Sequence, residues 1–225
     1  RVQEFPHELH RSLREYTSQQ GLLYMCSVFS DEVVERVSDL KPDAYKIPSG
    51  EISNPWILEA LSEVQIPVIS STGMSPISEI DGMMEKLTLR GRKPVLLHCV
   101  SEYPTELEHM NLRMIPILRD RYLCPVGLSD HSRRFDEIVA SIALGVSIIE
   151  LHFTFNREAE GPDHHISVTP AEMKDLVQRI RNLEIALGEK RKILGTNVDS
   201  MRDVFTNSIV ARKNISEGEI LSRKN

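Results

Sequence analysis

Apolar residues in this chain fall in short continuous runs with polar residues at or next to their ends: 22–28 (LLYMCSV), 44–49 (AYKIPS), 67–72 (PVISST), 94–100 (PVLLHCV), 124–130 (CPVGLSD) and 147–154 (SIIELHFT). Their starts lie 22 to 30 residues apart. Runs of this length without polar alternation predict parallel strands covered on both faces. Helical signals fill the gaps. The first 21 residues read as a helix ending at Gly21. Asn54-Pro55, Ser75-Pro76 and Thr169-Pro170 each put a capping side chain before a proline at the first helical position. Glu172 follows Thr169 at capping-box spacing. Met173, Leu176, Val177, Ile180, Leu183 and Leu187 share one face of that helix, which stops at Gly188.

Repeated βα units of this length predict a doubly wound sheet or a (β/α)8 barrel. No glycine-rich turn follows the first strand, as a dinucleotide-binding sheet would require. Every strand instead ends on polar residues, and in a barrel those ends converge on one mouth. The expected fold is therefore a TIM (β/α)8-type barrel. Six strands are visible, so about two βα units are expected upstream. The start on Arg1 fits a cut chain.

Two strands finish on a histidine, His131 in VGLSDHS and His152 in SIIELHFT. Each can be a hydrogen-bonded core histidine. As a pair at equivalent strand ends they form a candidate divalent-metal site with positions open for water and substrate. Asp130 is read either as a partner orienting an imidazole or as a cap for the helix from Phe135. Lys46 lies inside an apolar strand, where a charge is costly unless paired. It can form a Schiff base, hold an anion, or snorkel at the strand edge. With Ser27, Ser49, Ser71, Thr72 and Ser129 around it, an anion cradle is expected, most plainly for phosphate. Ser101 also closes a strand. Glu51 is read as a base, a hydrogen-bond acceptor for a polyol, or a solvated loop carboxylate. The loop NREAEGPDHH turns at Gly161-Pro162 and projects Asp163, with His164 and His165 behind it. Tyr103 follows a strand and precedes a proline. His7, His10, His98 and His109 have no assigned role.

Composition narrows the class. The chain has 225 residues, 40% of them apolar, and a net charge of −6. That supports a sizeable core and disfavours a nucleic-acid surface. Cys26, Cys99 and Cys124 form no CxxC pair and fit a reducing cytoplasm. No apolar run is long enough to span a bilayer, and no signal peptide opens the chain.

Taken together, YKIPSGEISN, PVISSTGM, LLHCVSEYPT, NLR (111–113), VGLSDHS, ELHFT and GPDH resemble the N-acetylneuraminate (sialic acid) synthase family, in family order along almost the whole chain. Its close relatives are the legionaminate and pseudaminate synthases and the spore-coat polysaccharide enzymes. PSGE after the lysine strand looks more like the neuraminate and legionaminate branches. The resemblance implies condensation of phosphoenolpyruvate with an N-acyl hexosamine and release of phosphate. It implies that His131 and His152 hold a divalent metal, usually manganese, with magnesium or cobalt as alternatives. Lys46, Ser27, Ser49, Ser71 and Ser129 would bind phosphoenolpyruvate. Family members often carry threonine where Ser27 stands, and asparagine at a phosphoenolpyruvate contact where Ser101 stands. Glu51, Tyr103 and Asp163 would hold the open-chain sugar. The resemblance places the barrel in residues 1–200. Residues 201–225 would be a linker and the start of an antifreeze-like (SAF) domain, which in the family reaches across a domain-swapped homodimer. Residues 1–225 alone are then expected to be inactive. Two other readings remain: a Schiff-base aldolase using Lys46, and a non-catalytic barrel-derived binding protein.

Overall fold

A computed structural model of the chain describes residues 5–89, 91, 93–195 and 198–225. They form two compact units, Arg1–Leu187 and Gly188–Asn225.

The first unit is built on six parallel strands, β1 (Met25–Ser27), β2 (Ala44–Ile47), β3 (Val68–Ser71), β4 (Val95–Cys99), β5 (Val126–Asp130) and β6 (Ile149–Leu151), one inside each apolar run. Their order in the sheet is their order in the chain. A doubly wound sheet would reverse direction at a switch point; sequential order is that of a barrel wall. The helices are α1 (His7–Gln19), α2 (Asp31–Val37), α3 (Pro55–Glu63), α4 (Ile77–Thr88), α5 (Met114–Tyr122), α6 (Phe135–Ala143) and α7 (Pro170–Leu187). Residues 1–4, part of the first expected helix, lie outside the described residues.

Side chains alternate between the two faces of each strand. Tyr45, Ile47, Leu96, Val126 and Leu128 point outward into the large core shared with the helices. Ala44, Ile69 and Leu97 form a smaller inner cluster with Val95 and Ile148. On that concave face, two residues further along each strand, apolar side chains give way to Lys46, Ser71, Cys99, Ser129 and Glu150. Register aligns them: Ser27 pairs with Lys46, Cys99 with Ser129, and Ser129 with Glu150. The inner layer is tight at Gly127. A Cβ there would lie 2.4 Å from Leu97 Cδ2 and 2.5 Å from the Ile148 carbonyl oxygen.

Capping follows the sequence at two of three sites. Asn54 Oδ1 accepts from the N–H groups of Trp56 and Ile57 at the start of α3. At α7 the Thr169 N–H and hydroxyl both donate to Glu172, at 2.9 Å each. Ser75 does not cap α4. Pro76 occupies the cap position with ψ 163°, no side chain caps it, and the helix begins one residue later, at Ile77. On α7 the buried contact is Leu176, whereas Val177 and Leu187 are exposed.

The second unit contains α8 (Val198–Phe205) followed by turns, with no strand among its described residues. Arg212 N–H bonds the Asn225 carbonyl at 2.8 Å, and Lys213 pairs with Glu219 at 2.7 Å. The first unit ends with α7, just before Gly188, whose φ is +57°. No described helix is long and apolar enough to cross a membrane.

Two outcomes follow from this packing. Gly127→Ala should destabilise the protein by about 1–3 kcal/mol in urea unfolding, since the facing carbonyl cannot move aside. Glu172 is bonded by Arg157 and Thr169, which hold its carboxyl down at about 2, against an ordinary 4.5. The unfolded chain therefore binds a proton that the folded chain refuses, and this contribution disappears as pH falls from about 4.5 to about 2. The stability difference between wild type and Glu172→Gln should shrink over that interval. It should be modest and salt-sensitive, because the pair is near the surface.

Candidate active site

The polar ends of the strands surround one cavity of about 600 Å³. Ser27, Lys46, Ser49, Glu51, Ser71, Ser101, Tyr103, Ser129, His131 and His152 all line it. Of the residues expected there from the sequence, Thr72 and Asp163 do not. Asp163 lies on the loop after β6, half-exposed, with Oδ2 3.8 Å from His152 Nδ1.

The floor is built around Lys46. Its ammonium donates to the Ile47 carbonyl at 3.1 Å and lies 3.5 Å from Glu150 Oε1. Ser71 Oγ donates to the other Glu150 oxygen at 3.3 Å. Burial pushes the Lys46 ammonium below its usual range, and the Glu150 carboxylate opposes that shift. Glu150 is the functional residue that the sequence reading missed. The signal was present: an acid inside SIIELHFT needs a buried partner for the same reason that Lys46 does. Ser49 sits on the turn after β2, where its Oγ accepts the Gly73 N–H at 3.0 Å and lies 3.7 Å from Cys99 Sγ. Burial raises the Cys99 thiol. Ser101 Oγ is buried with no hydrogen-bond partner among the described residues. Thr72 does not join the ring, because its hydroxyl donates to the Leu97 carbonyl at 3.0 Å.

The rim carries the imidazoles. Their ring centroids are 5.3 Å apart, and Tyr103 stacks on His131 at 4.2 Å. Tyr103 meets His152 edge-on at 5.9 Å. His131 Nδ1 lies 2.9 Å from the Val100 carbonyl. A carbonyl only accepts, so Nδ1 carries the proton, which leaves Nε2 with its lone pair in the neutral ring. Asp130 neither orients an imidazole nor caps α6. Its carboxylate accepts from Ser132 N–H, Ser132 Oγ and Arg133 N–H at 3.1, 2.7 and 3.0 Å, bracing the turn that presents His131. Burial pushes His152 below its usual range, with Asp163 pulling the other way. Glu51 is anchored at 2.8 Å by Asn54, the cap of α3. His7, His10, His98 and His109 all have structural partners: Asp39, Tyr24, the Met110 carbonyl and Glu102.

These donors fit a divalent metal. Two imidazoles face one cavity, and among the described residues no third His, Cys, Asp or Glu completes a cluster with them. Such a pair leaves most coordination positions open, as a catalytic site needs. Charge agrees. The lining sets one cation, Lys46, against the carboxyl groups of Glu51, Asp130 and Glu150. An anionic ligand here requires further positive charge.

The chain was compared with known proteins. The NeuB family profile matches residues 1–192. An uncharacterized protein of Methanocaldococcus jannaschii is 39% identical over 226 residues, covering 99% of this chain and 66% of that protein. The N,N'-diacetyllegionaminic acid synthase of Campylobacter jejuni is 34% identical over 219 residues, covering 96% and 66%. The chain thus spans just under two thirds of the length of these curated relatives. The crystal structure of N-acetylneuraminic acid (sialic acid) synthetase from Leptospira borgpetersenii, in complex with citrate, superposes with a TM-score of 0.83 at 29% identity, covering 89% of this chain and 70% of that one. With most of its length matched by the family profile and its strand-end motifs gathered around one cavity, the chain belongs to the NeuB family, that of the sialic acid synthases.

Proposed function

We propose that this chain carries the catalytic barrel wall of a nonulosonic acid synthase, which condenses phosphoenolpyruvate with an N-acyl hexosamine and water, releasing inorganic phosphate. The observation that carries this reading is the division of the cavity into a hydroxyl-and-lysine floor and an imidazole rim. The floor suits a phosphate ester: Lys46 supplies the charge, and Ser27, Ser49, Ser71, Ser101 and Ser129 supply donors. The rim suits an open-chain sugar, with Glu51, Tyr103 and Asp163 as hydrogen-bonding partners. A divalent ion held by His131 and His152, manganese by resemblance, would polarise the sugar aldehyde as a Lewis acid. With both substrates bound, the enol carbon of phosphoenolpyruvate bonds to the aldehyde carbon, whose oxygen takes a proton. Water adds at the adjacent carbon, and phosphate leaves with its bridging oxygen. Lys46 and the serines hold the phosphoryl oxygens throughout. Glu51, whose other oxygen accepts from Asn54, would accept a proton from a hydroxyl at the rim through Oε1. The Glu150 carboxylate, 3.5 Å from Lys46, opposes the burial that lowers its ammonium, and borohydride trapping separates the anion role from a Schiff base.

By the same resemblance, the intact protein is a manganese-dependent homodimer in the cytoplasm with an antifreeze-like domain after the barrel. The substrate belongs to the neuraminate or legionaminate branch. The test is phosphate release by the intact protein from phosphoenolpyruvate, across a panel of N-acyl hexosamines. Phosphate should appear only when both substrates and the metal are present, and borohydride should trap no adduct on Lys46. No phosphate with any hexosamine, or a trapped adduct, would overturn the reading.

Two variants separate the halves of the site. Lys46→Ala should weaken phosphoenolpyruvate binding by about 1.5–3 kcal/mol, the worth of a charge-assisted contact, and weaken the sugar far less. Equal weakening of both in calorimetry would count against the anion role. His152→Ala should lose manganese binding, read by the ion's electron paramagnetic resonance, along with turnover, while keeping the circular dichroism of wild type.

A further inference from the structure

Asp163 lies furthest from a strand end of the candidate site residues, twelve positions past Leu151 at the end of β6. It lies on a loop running from Asn156, where hydrogen bonds within the chain replace the sheet. Thr154, buried just beyond β6, donates its N–H to the carbonyl of Val168, which lies after the loop and bridges Phe153. Its hydroxyl reaches both ends of the loop. It accepts the Asn156 N–H at 3.1 Å and lies 2.7 Å from His164 Nδ1. Gly161 folds over the same imidazole so closely that a Cβ there would sit 2.8 Å from His164 Cδ2. Directly before His164, the Asp163 carbonyl accepts Ser167 Oγ at 2.7 Å and the Ile166 N–H at 3.2 Å. Arg133, two residues beyond His131, bonds the His165 carbonyl from the neighbouring loop. His164 itself does not line the cavity.

We propose that His164 is a positioning residue. Its imidazole pins the Asn156–Asp163 loop shut on Thr154 and supports Gly161, and this holds the Asp163 carboxylate beside His152. The pin acts on the sugar side of the site, because Lys46, Ser71 and Ser129 of the phosphate floor stand on β2, β3 and β5. The inference rests on Asp163 being a sugar contact, as proposed above.

The experiment compares His164→Ala, His164→Asn, Thr154→Val and Asp163→Ala in the intact protein. Asparagine can place a polar atom where Nδ1 stands, and valine removes the Thr154 hydroxyl at constant shape. Two readouts are taken: hydrogen exchange of the amides of residues 156–163, and KM for each substrate with manganese supplied. His164→Ala and Thr154→Val should both speed exchange in the loop. They should raise the hexosamine KM roughly tenfold while leaving the phosphoenolpyruvate KM within about twofold. His164→Asn should restore both readouts. Unchanged loop exchange in His164→Ala and Thr154→Val overturns the pin, as does His164→Asn behaving like His164→Ala. An equal rise in both KM values also overturns it, since that would be a general loss of structure. If exchange accelerates but Asp163→Ala leaves the hexosamine KM unchanged, the pin stands and it is the sugar role of Asp163 that fails.

Discussion

The ion pair between Lys46 and Glu150 is the contact on which the site depends. Lys46 is on β2 and Glu150 on β6, with three strands between them in the sheet. Neighbouring strands in a sheet are about 4.8 Å apart, so a flat sheet would hold these residues roughly 19 Å from each other. They meet at 3.5 Å. Only a strongly curled sheet permits this, so the ion pair and the barrel curvature require one another. The pairing also answers a local problem. An ammonium among apolar side chains is tolerated only with a carboxylate and further hydrogen bonds, and Lys46 has Glu150 and the Ile47 carbonyl.

The same curl explains why so much of the site was legible in the sequence. Side chains at a period of two face the same way, and parallel strands with sequential order stop at a common level. A polar residue that closes an apolar run is therefore aimed at the cavity, whichever strand carries it. Ser27, Lys46, Ser71 and Ser129 follow that rule. The rule is weaker past the last hydrogen-bonded residue, where the backbone is free to turn. Thr72 turns back to the Leu97 carbonyl just past β3, whereas Asp130 is still in β5, on the opposite face from Ser129, and accepts from Ser132 and Arg133. Ser75 precedes a proline as a cap should, but Pro76 is extended and itself takes the cap position. Glu150 was missed for another reason. It lies one residue before the end of β6 with apolar neighbours on both sides, and only the curled sheet shows that its partner is Lys46, with three strands between them.

Glu150 also shapes how the floor meets an anion. In the structure it is the partner of both Lys46 and Ser71, two of the groups assigned to phosphate. An arriving phosphoryl group must share those donors with a carboxylate or displace it. A bare lysine would hold the anion more tightly but could not be buried alone. The carboxylate opposes the loss of charge that burial drives at Lys46, and it would be a weaker competitor than a phosphate dianion for the same donors.

The site therefore divides according to what holds each part. The floor is fixed by strands, the inner layer around Gly127 leaves no room for even one added methyl group, and its positions can shift little. The rim is held by loops: Glu51 through the Asn54 cap, Tyr103 through its stack on His131, and Asp163 through the Thr154–His164 contact. Loops tolerate substitution more readily than strands do. A barrel wall of this kind can keep one phosphorylated donor while its rim is retuned for different acyl sugars. That arrangement suits a family whose relatives here include synthases named for both N-acetylneuraminic and N,N'-diacetyllegionaminic acid.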